Sequence, residues 1–161
     1  DLQAIDAIGI DRPEETLDRL VGPAGTRLRC QLGAAQSAQV VQLLRDSYWN
    51  VGVSEAEITS AHQNSSAWVG CLSTENKVVG SARAVADSAK FAWILDVIVA
   101  PEMRSQGLGK VLMEMLLDHP SVRNCRSVGL VTRDAEEFYR RFGFEIVGKH
   151  PSGNHQMLLR R

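Results

Sequence analysis

Nine consecutive positions, Phe91-Ala-Trp-Ile-Leu-Asp-Val-Ile-Val99, hold a single polar side chain. A run of that kind is expected of a strand covered on both faces. Ala100-Pro101 ends it, because a proline cannot donate to a ladder. Shortly after, Leu108, Val111, Leu112, Met115 and Leu116 fall at i, i+3, i+4, i+7 and i+8, the stripe of an amphipathic helix. His119-Pro120 stops that helix. Buried strand, glycine loop and helix in this order restrict the chain to an α/β architecture.

The loop between them is Arg104-Ser105-Gln106-Gly107-Leu108-Gly109-Lys110. The first N–H groups of a helix have no partner inside it, and the macrodipole adds about half a positive charge there. An anion, most often a phosphate, is the natural ligand of such a start. Gly107 and Gly109 let the backbone approach it closely, and Arg104 and Lys110 add charge. A Walker A loop is excluded, since Arg104 stands at the first glycine position and Val111 follows the lysine. The dinucleotide fingerprint is excluded by Leu112 in place of its third glycine. What remains reads as a pyrophosphate cradle, with a plain glycine turn as the alternative.

Downstream, a short strand is expected over Val128–Val131, then a helix through Phe138-Tyr139-Arg140-Arg141-Phe142. Asp134 with Glu137 is placed for a capping box and Gly143 for a left-handed C-terminal cap. Phe144–Val147 is expected as the next strand. Upstream, Glu14–Leu20 reads as a short helix, Gly22-Pro23-Ala24-Gly25 as a linker and Thr26–Leu32 as a first strand. Ala34–Tyr48 and Ser54–His62 read as helices, the second capped by Ser54. Ala67–Leu72 and Val78–Val85 read as strands joined by a turn at Thr74-Glu75-Asn76-Lys77.

With both motifs on the page, the chain resembles the GNAT superfamily of N-acetyltransferases. Arg104-x-x-Gly107-x-Gly109 after a strand is similar to that family's acetyl-coenzyme A signature. Phe138-Tyr139-Arg140-Arg141-Phe142-Gly143-Phe144 is similar to its second signature. The resemblance runs from Val78 to Gly148 and more loosely back to Ala34. Ser81–Val99 with Asp134-Ala135 is similar to a group of small bacterial members of unassigned substrate. Ser105 stands where family members often carry glycine, a change that keeps the N–H.

The resemblance implies an α/β fold with a mixed, mostly antiparallel, splayed sheet of about six or seven strands and about four helices. It implies an acidic extension over 1–25 and an acetyltransferase domain over 26–161. It also implies acetyl-CoA as acetyl donor, no metal, and transfer to a primary amine of a small molecule within a ternary complex. The pantetheine arm would lie where the sheet opens between Phe91–Val99 and Val128–Val131, against the backbone of Val97, Ile98 and Val99. The diphosphate would sit on Arg104, Ser105, Gln106, Gly107, Leu108, Gly109 and Lys110. An N–H near Val97 would polarise the thioester carbonyl. Tyr139 holds the position of the family's general acid, and a phenol can protonate a thiolate leaving group while staying neutral near pH 7.

Asp96 is the one carboxylate in the apolar strand, and leaving it buried and uncompensated would be costly. Alternation puts it on the face of Ile94 and Ile98. It either binds or deprotonates the incoming ammonium, or it is structural, satisfied by backbone or by Arg83. The acceptor would lie against the loop bearing Tyr48 and Trp49, with Arg83 a candidate for an acceptor carboxylate; core packing is the alternative for the aromatics. Asp87 either pairs with Arg83 or begins a turn.

Composition suits this reading. A chain of 161 residues that is 44% hydrophobic can bury a sizeable core. No apolar run approaches the roughly eighteen residues of a membrane span. Residues 1–20 carry six acidic and two basic side chains, whereas residues 101–161 carry ten basic and seven acidic. The C-terminal surplus suits the phosphates of coenzyme A, but the net charge of −1 is no nucleic-acid footprint. Cys30, Cys71 and Cys125 lack metal-ligand spacing with the histidines and read as reduced, buried thiols in the cytoplasm. The chain opens at Asp1 with no visible signal peptide, which suggests an excised or processed segment. A homodimer is left open, and a non-catalytic acyl-CoA-binding domain or a user of longer acyl groups is the competing expectation.

Overall fold

Every residue of β2 (Ala67–Leu72) is buried, and alternate side chains enter two different cores. Val69 and Cys71 join one cluster, Trp68 and Leu72 the other. A strand buried on both faces needs helices on both sides, and the computed structural model, which describes residues 20–161, has them. The first cluster is closed by α3 (Leu108–Asp118), which buries Leu108, Leu112, Met113, Met115 and Leu116, and by α4 (Glu136–Arg140), which buries Tyr139. The second is closed by α1 (Ala34–Leu44) and α2 (Glu55–Gln63) through Val40, Val41, Leu44 and Ile58. Fully burying an aliphatic side chain contributes about 1.5–3 kcal/mol, so the α3 stripe alone is a large part of what holds this layer.

The remaining strands are β1 (Arg27–Arg29), β3 (Val78–Ala86), β4 (Phe91–Val99), β5 (Ser127–Thr132), β6 (Glu145–Lys149) and β7 (His155–Arg160). The sheet order is β1-β2-β3-β4-β5-β7-β6. All neighbours run antiparallel except β4 and β5. This is the mixed, mostly antiparallel sheet with four described helices that the sequence led us to expect. The β4–β5 pairing covers only Phe91↔Ser127, Ala92↔Val128 and Trp93↔Gly129. Beyond Trp93 the strands part, and the sheet opens into a V.

Two elements end as their sequences dictate. Ser54 and Glu57 form a full capping box on α2: the Glu57 N–H donates to Ser54 Oγ at 3.2 Å and the Ser54 N–H to Glu57 Oε2 at 2.8 Å. After α4, Phe144 N–H donates to Tyr139 O and Gly143 N–H to Arg140 O, with Gly143 at φ 94°. That is a Schellman ending, which needs a residue at ease in the left-handed region.

Five expectations change. The helix expected over Ala34–Tyr48 ends at Leu44, and Tyr48–Asn50 forms a separate 3-10 turn. The capping box placed at Asp134 and Glu137 does not form: Asp134 is drawn to Arg133 and Glu137 to Arg140, and Thr132 Oγ1 accepts from the Ala135 N–H at 3.0 Å instead. The first strand shrinks to Arg27–Arg29. Strand β7 carried no expectation of its own, although it joins β5 to β6. Finally, Asp96 is not on the face of Ile94. Ser81 pairs with Ile98 and Arg83 with Leu95, so Ala82 faces both Asp96 and Val97, a bulge that breaks alternation. Ile94 and Val97 therefore share one cluster while Ile98 packs on the other. The helix expected at Glu14–Leu20 lies outside the described residues up to Arg19. Residues 20–25 bend back along β1, with the Leu28 N–H donating to Leu20 O at 2.9 Å.

Candidate active site

The loop from β4 to α3 ends as a row of free donors. Among the described residues, the N–H groups of residues 105–110 meet no acceptor, and the first intrahelical bond runs from Val111 N to Gly107 O. Ser105 at φ 61° and Gly107 at φ 86° fold the loop so that neighbouring amides converge, an anion-binding concavity. At Gly109 a Cβ would already lie 3.3 Å from the Phe138 ring. Leu108 roots the loop in the core at 1% exposure and offers only its backbone. Arg104 Nε donates to Val99 O at 3.2 Å, and Gln106 Nε2 leans on Glu102 O. Lys110 is exposed and pairs with Glu114 at 3.6 Å. The residues present thus fit a diphosphate: donors, left-handed turns and two cations, with no carboxylate in the loop itself.

The V between β4 and β5 is a cleft of about 730 Å³. Ala100 N–H donates to Val79 O on β3, so strand geometry turns the N–H and C=O of Val99 and Val97 to the opposite edge, where Arg104 Nε already caps Val99 O. Ile98, one residue out of phase with Val99, turns its N–H and C=O toward β3 instead, opposite Ser81. Tyr139 reaches the cleft from α4. At 8% exposure it is edge-on to Phe138 and Phe144. Burial, with Tyr48 nearby, pushes its hydroxyl well above the ordinary phenol value.

The other wall is aromatic. Tyr48 and Trp49 stand edge to face with centroids 5.0 Å apart, and both line the cleft. Trp49 Nε1 donates to Asp96 Oδ1 at 2.7 Å, and Arg83 Nε to Asp96 Oδ2 at 2.6 Å. Arg83 gives its Nε to Asp96 and its Nη1 to Ser65 Oγ at 3.4 Å, and it is not among the residues that line the cleft. Asp87 begins a turn: its Oδ1 accepts from the N–H groups of Ala89, Lys90 and Phe91, which holds its carboxyl below the usual range.

Some lining residues escaped the sequence reading. Arg133 lies over the Tyr48 ring at 3.8 Å, and His150, Ser152 and Asn154 reach the cleft from the β6–β7 turn. His150-Pro151-Ser152-Gly153-Asn154 has turn composition, but no local signal says that the turn folds onto the cleft. No group of three or more metal-ligating side chains gathers among the described residues. No described helix is long and apolar enough to cross a membrane.

Known proteins resemble this chain in sequence and in fold. The family model described as Acetyltransferase (GNAT) family matches residues 37–144. Over 72 residues the chain is 42% identical to GCN5-related N-acetyltransferase 2, chloroplastic, of Arabidopsis thaliana, covering 44% of this chain and 28% of that protein. The chain thus spans well under half of that relative's length. Its fold is similar to that of a GNAT-family protein from Xanthomonas campestris pv. campestris, with a TM-score of 0.66, 29% identity and coverage of 74% of this chain and 84% of that one. It is also similar to a GNAT family N-acetyltransferase from Escherichia coli in complex with CoA, with a TM-score of 0.66, 20% identity and coverage of 84% and 81%.

Proposed function

The chain belongs to the acetyltransferase (GNAT) family, and from that premise we propose that it moves an acetyl group from acetyl-CoA to a primary amine of a small molecule, by direct attack while both are bound. The observation that carries the reading is the continuity of the site. The free N–H groups of residues 105–110 lie just past the end of β4, and the unpaired edge of β4 leads from them to Tyr139.

Acetyl-CoA supplies the acetyl group already activated as a thioester. The amides of residues 105–110 hold its diphosphate, with Arg104 and Lys110 adding charge. Val97 and the Val99 N–H offer backbone groups to the amide-bearing arm, as an added strand would find them. The Val97 N–H donates to the acyl oxygen as negative charge grows there. Tyr139 donates its proton to the departing sulfur, and burial keeps that proton on the phenol until the sulfur needs it. The acceptor lies against Tyr48 and Trp49, loses its extra proton to water before it attacks, and gives up a second as the amide forms, which restores the Tyr139 phenol. Transfer through an enzyme thiol is disfavoured: burial pushes Cys30 up to about 11 and Cys71 up to about 12, and no cysteine lines the cleft.

The test is thiol release from acetyl-CoA across a panel of amines. Turnover with any amine, lost in Tyr139→Phe, supports the reading. Tight cofactor binding with no turnover on any amine leaves the domain as an acyl-CoA binder, and turnover only with longer acyl thioesters reassigns the donor.

A further inference from the structure

Asp96 has a left-handed backbone at φ 53°, inside a strand and without being glycine. Such a conformation persists only where the surroundings over-determine it, and here they do. Its two carboxylate oxygens accept from two different elements: Oδ1 from Trp49 Nε1, on the loop that walls the acceptor side, and Oδ2 from Arg83 Nε on β3. The Arg83–Asp96 side chains are only 13% and 10% exposed. The same residue is half of the bulge, and the other half is Val97, which shares with it the place opposite Ala82.

We infer that Asp96 is a positioning residue: its carboxylate pins the Trp49 loop and β3 to the β4 bulge and so fixes the direction of the Val97 N–H. The inference rests on the acetyl-transfer reading and deepens it. Neither carboxylate oxygen faces the cleft without a donor, which suits a tether and not a base that must take a proton from an amine. Trp49 also belongs to the acceptor wall, so the tether links the surface that receives the amine to the amide that polarises the acyl group.

The experiment compares Asp96→Asn, Asp96→Gly and Trp49→Phe with the parent chain. Asparagine keeps an acceptor for Trp49 and tolerates the left-handed backbone, but turns its NH2 toward the Arg83 donor and so gives up the β3 half of the tether. Glycine accepts that backbone freely but deletes the tether. Trp49→Phe removes one donor from a side chain that is 41% exposed, so the fold is not at risk. The first readout needs no acceptor: the difference in the Val97 amide 15N–1H shift between the CoA-bound and acetyl-CoA-bound forms. We expect that difference in the parent and in Asp96→Asn, and its collapse in Asp96→Gly. In turnover, Asp96→Gly should lose of order ten- to a hundredfold in kcat, Trp49→Phe should lose less, and KM for acetyl-CoA should hold within about twofold for both. Asp96→Asn, which keeps only the Trp49 half of the tether, should fall less than Asp96→Gly, with its pH profile unmoved.

Loss of Asp96→Asn activity together with the acidic limb of the profile would make Asp96 the base and overturn the inference. So would an Asp96→Gly variant with the parent's shift difference and kcat. If the parent itself shows no Val97 response to acetyl-CoA, the acetyl-transfer reading fails first and takes this inference with it.

Discussion

Tyr139 works against a desolvation that makes ionisation hard, and this sets its pH behaviour. Because burial raises its hydroxyl above the ordinary phenol value, the neutral, proton-donating form persists further into alkali than a free tyrosine's would. Plotted against pH, kcat should show no loss from tyrosine ionisation at or below about pH 10. Tyr139→Phe should cut kcat by about 10²–10⁴ with little change in KM for acetyl-CoA, measured by steady-state thiol release. Ser105 poses a different problem. Its φ of 61° is costly for an L side chain, which is the physical reason a glycine suits the position. Ser105→Gly keeps the donor N–H and relieves the strain, but adds entropy to the unfolded chain. Urea denaturation should therefore show a net gain of up to about 1 kcal/mol with cofactor affinity preserved.

Among the elements, the short parallel contact of β4 with β5 decides where the V begins. Gly129 sits opposite Trp93, and a Cβ there would lie 2.6 Å from the Trp93 ring and 3.1 Å from Phe91. Trp93 stacks on Phe91 at 5.9 Å and lines the cleft, so its ring cannot shift without moving the cleft wall. Gly129→Ala should cost about 1–3 kcal/mol in chemical denaturation and raise KM for the acceptor more than for acetyl-CoA. Helix α3 was legible from its stripe and its glycines. The bulge in β4 was not, because hydrophobic periodicity presumes regular pairing and a bulge is an agreement between two strands. Alternation misplaced Asp96 for that reason, and the carboxylate that broke the apolar run was the only hint of irregularity.

At the scale of the whole molecule, stability should depend on pH through two buried histidines. His62 and His119 are 3% and 1% exposed. Burial lowers both, and Arg123 lowers His119 further. His62 Nε2 has no partner among the described residues, so protonating it would bury a donor without an acceptor, and this burial outweighs the pull of the Ile58 carbonyl and of Asp96. With folded values below the unfolded value near 6.5, the unfolded chain binds more protons in the window beneath that value. Their contribution is complete above about pH 6.5 and is lost as pH falls through the folded values, at up to about 1.4 kcal/mol per pH unit for each proton. Tm by circular dichroism should drop between pH 7.5 and 5. His119→Asn, whose side-chain oxygen can still accept from the Ser121 N–H, should remove part of the drop. What the linear order of residues determined is what a few consecutive positions control: the buried strand, the glycine turn whose N–H groups stay free, the α3 stripe, the Ser54 cap and the Tyr139 helix with its glycine ending. These follow from backbone sterics and side-chain period, which act over one or two turns. What only the tertiary structure decided is how distant segments meet: β7 inserted between β5 and β6, Arg133 over Tyr48, the β6–β7 turn against the cleft, and Asp96 held by Trp49 and Arg83. Those contacts depend on strand register and loop path, which are settled when the two cores pack and not before.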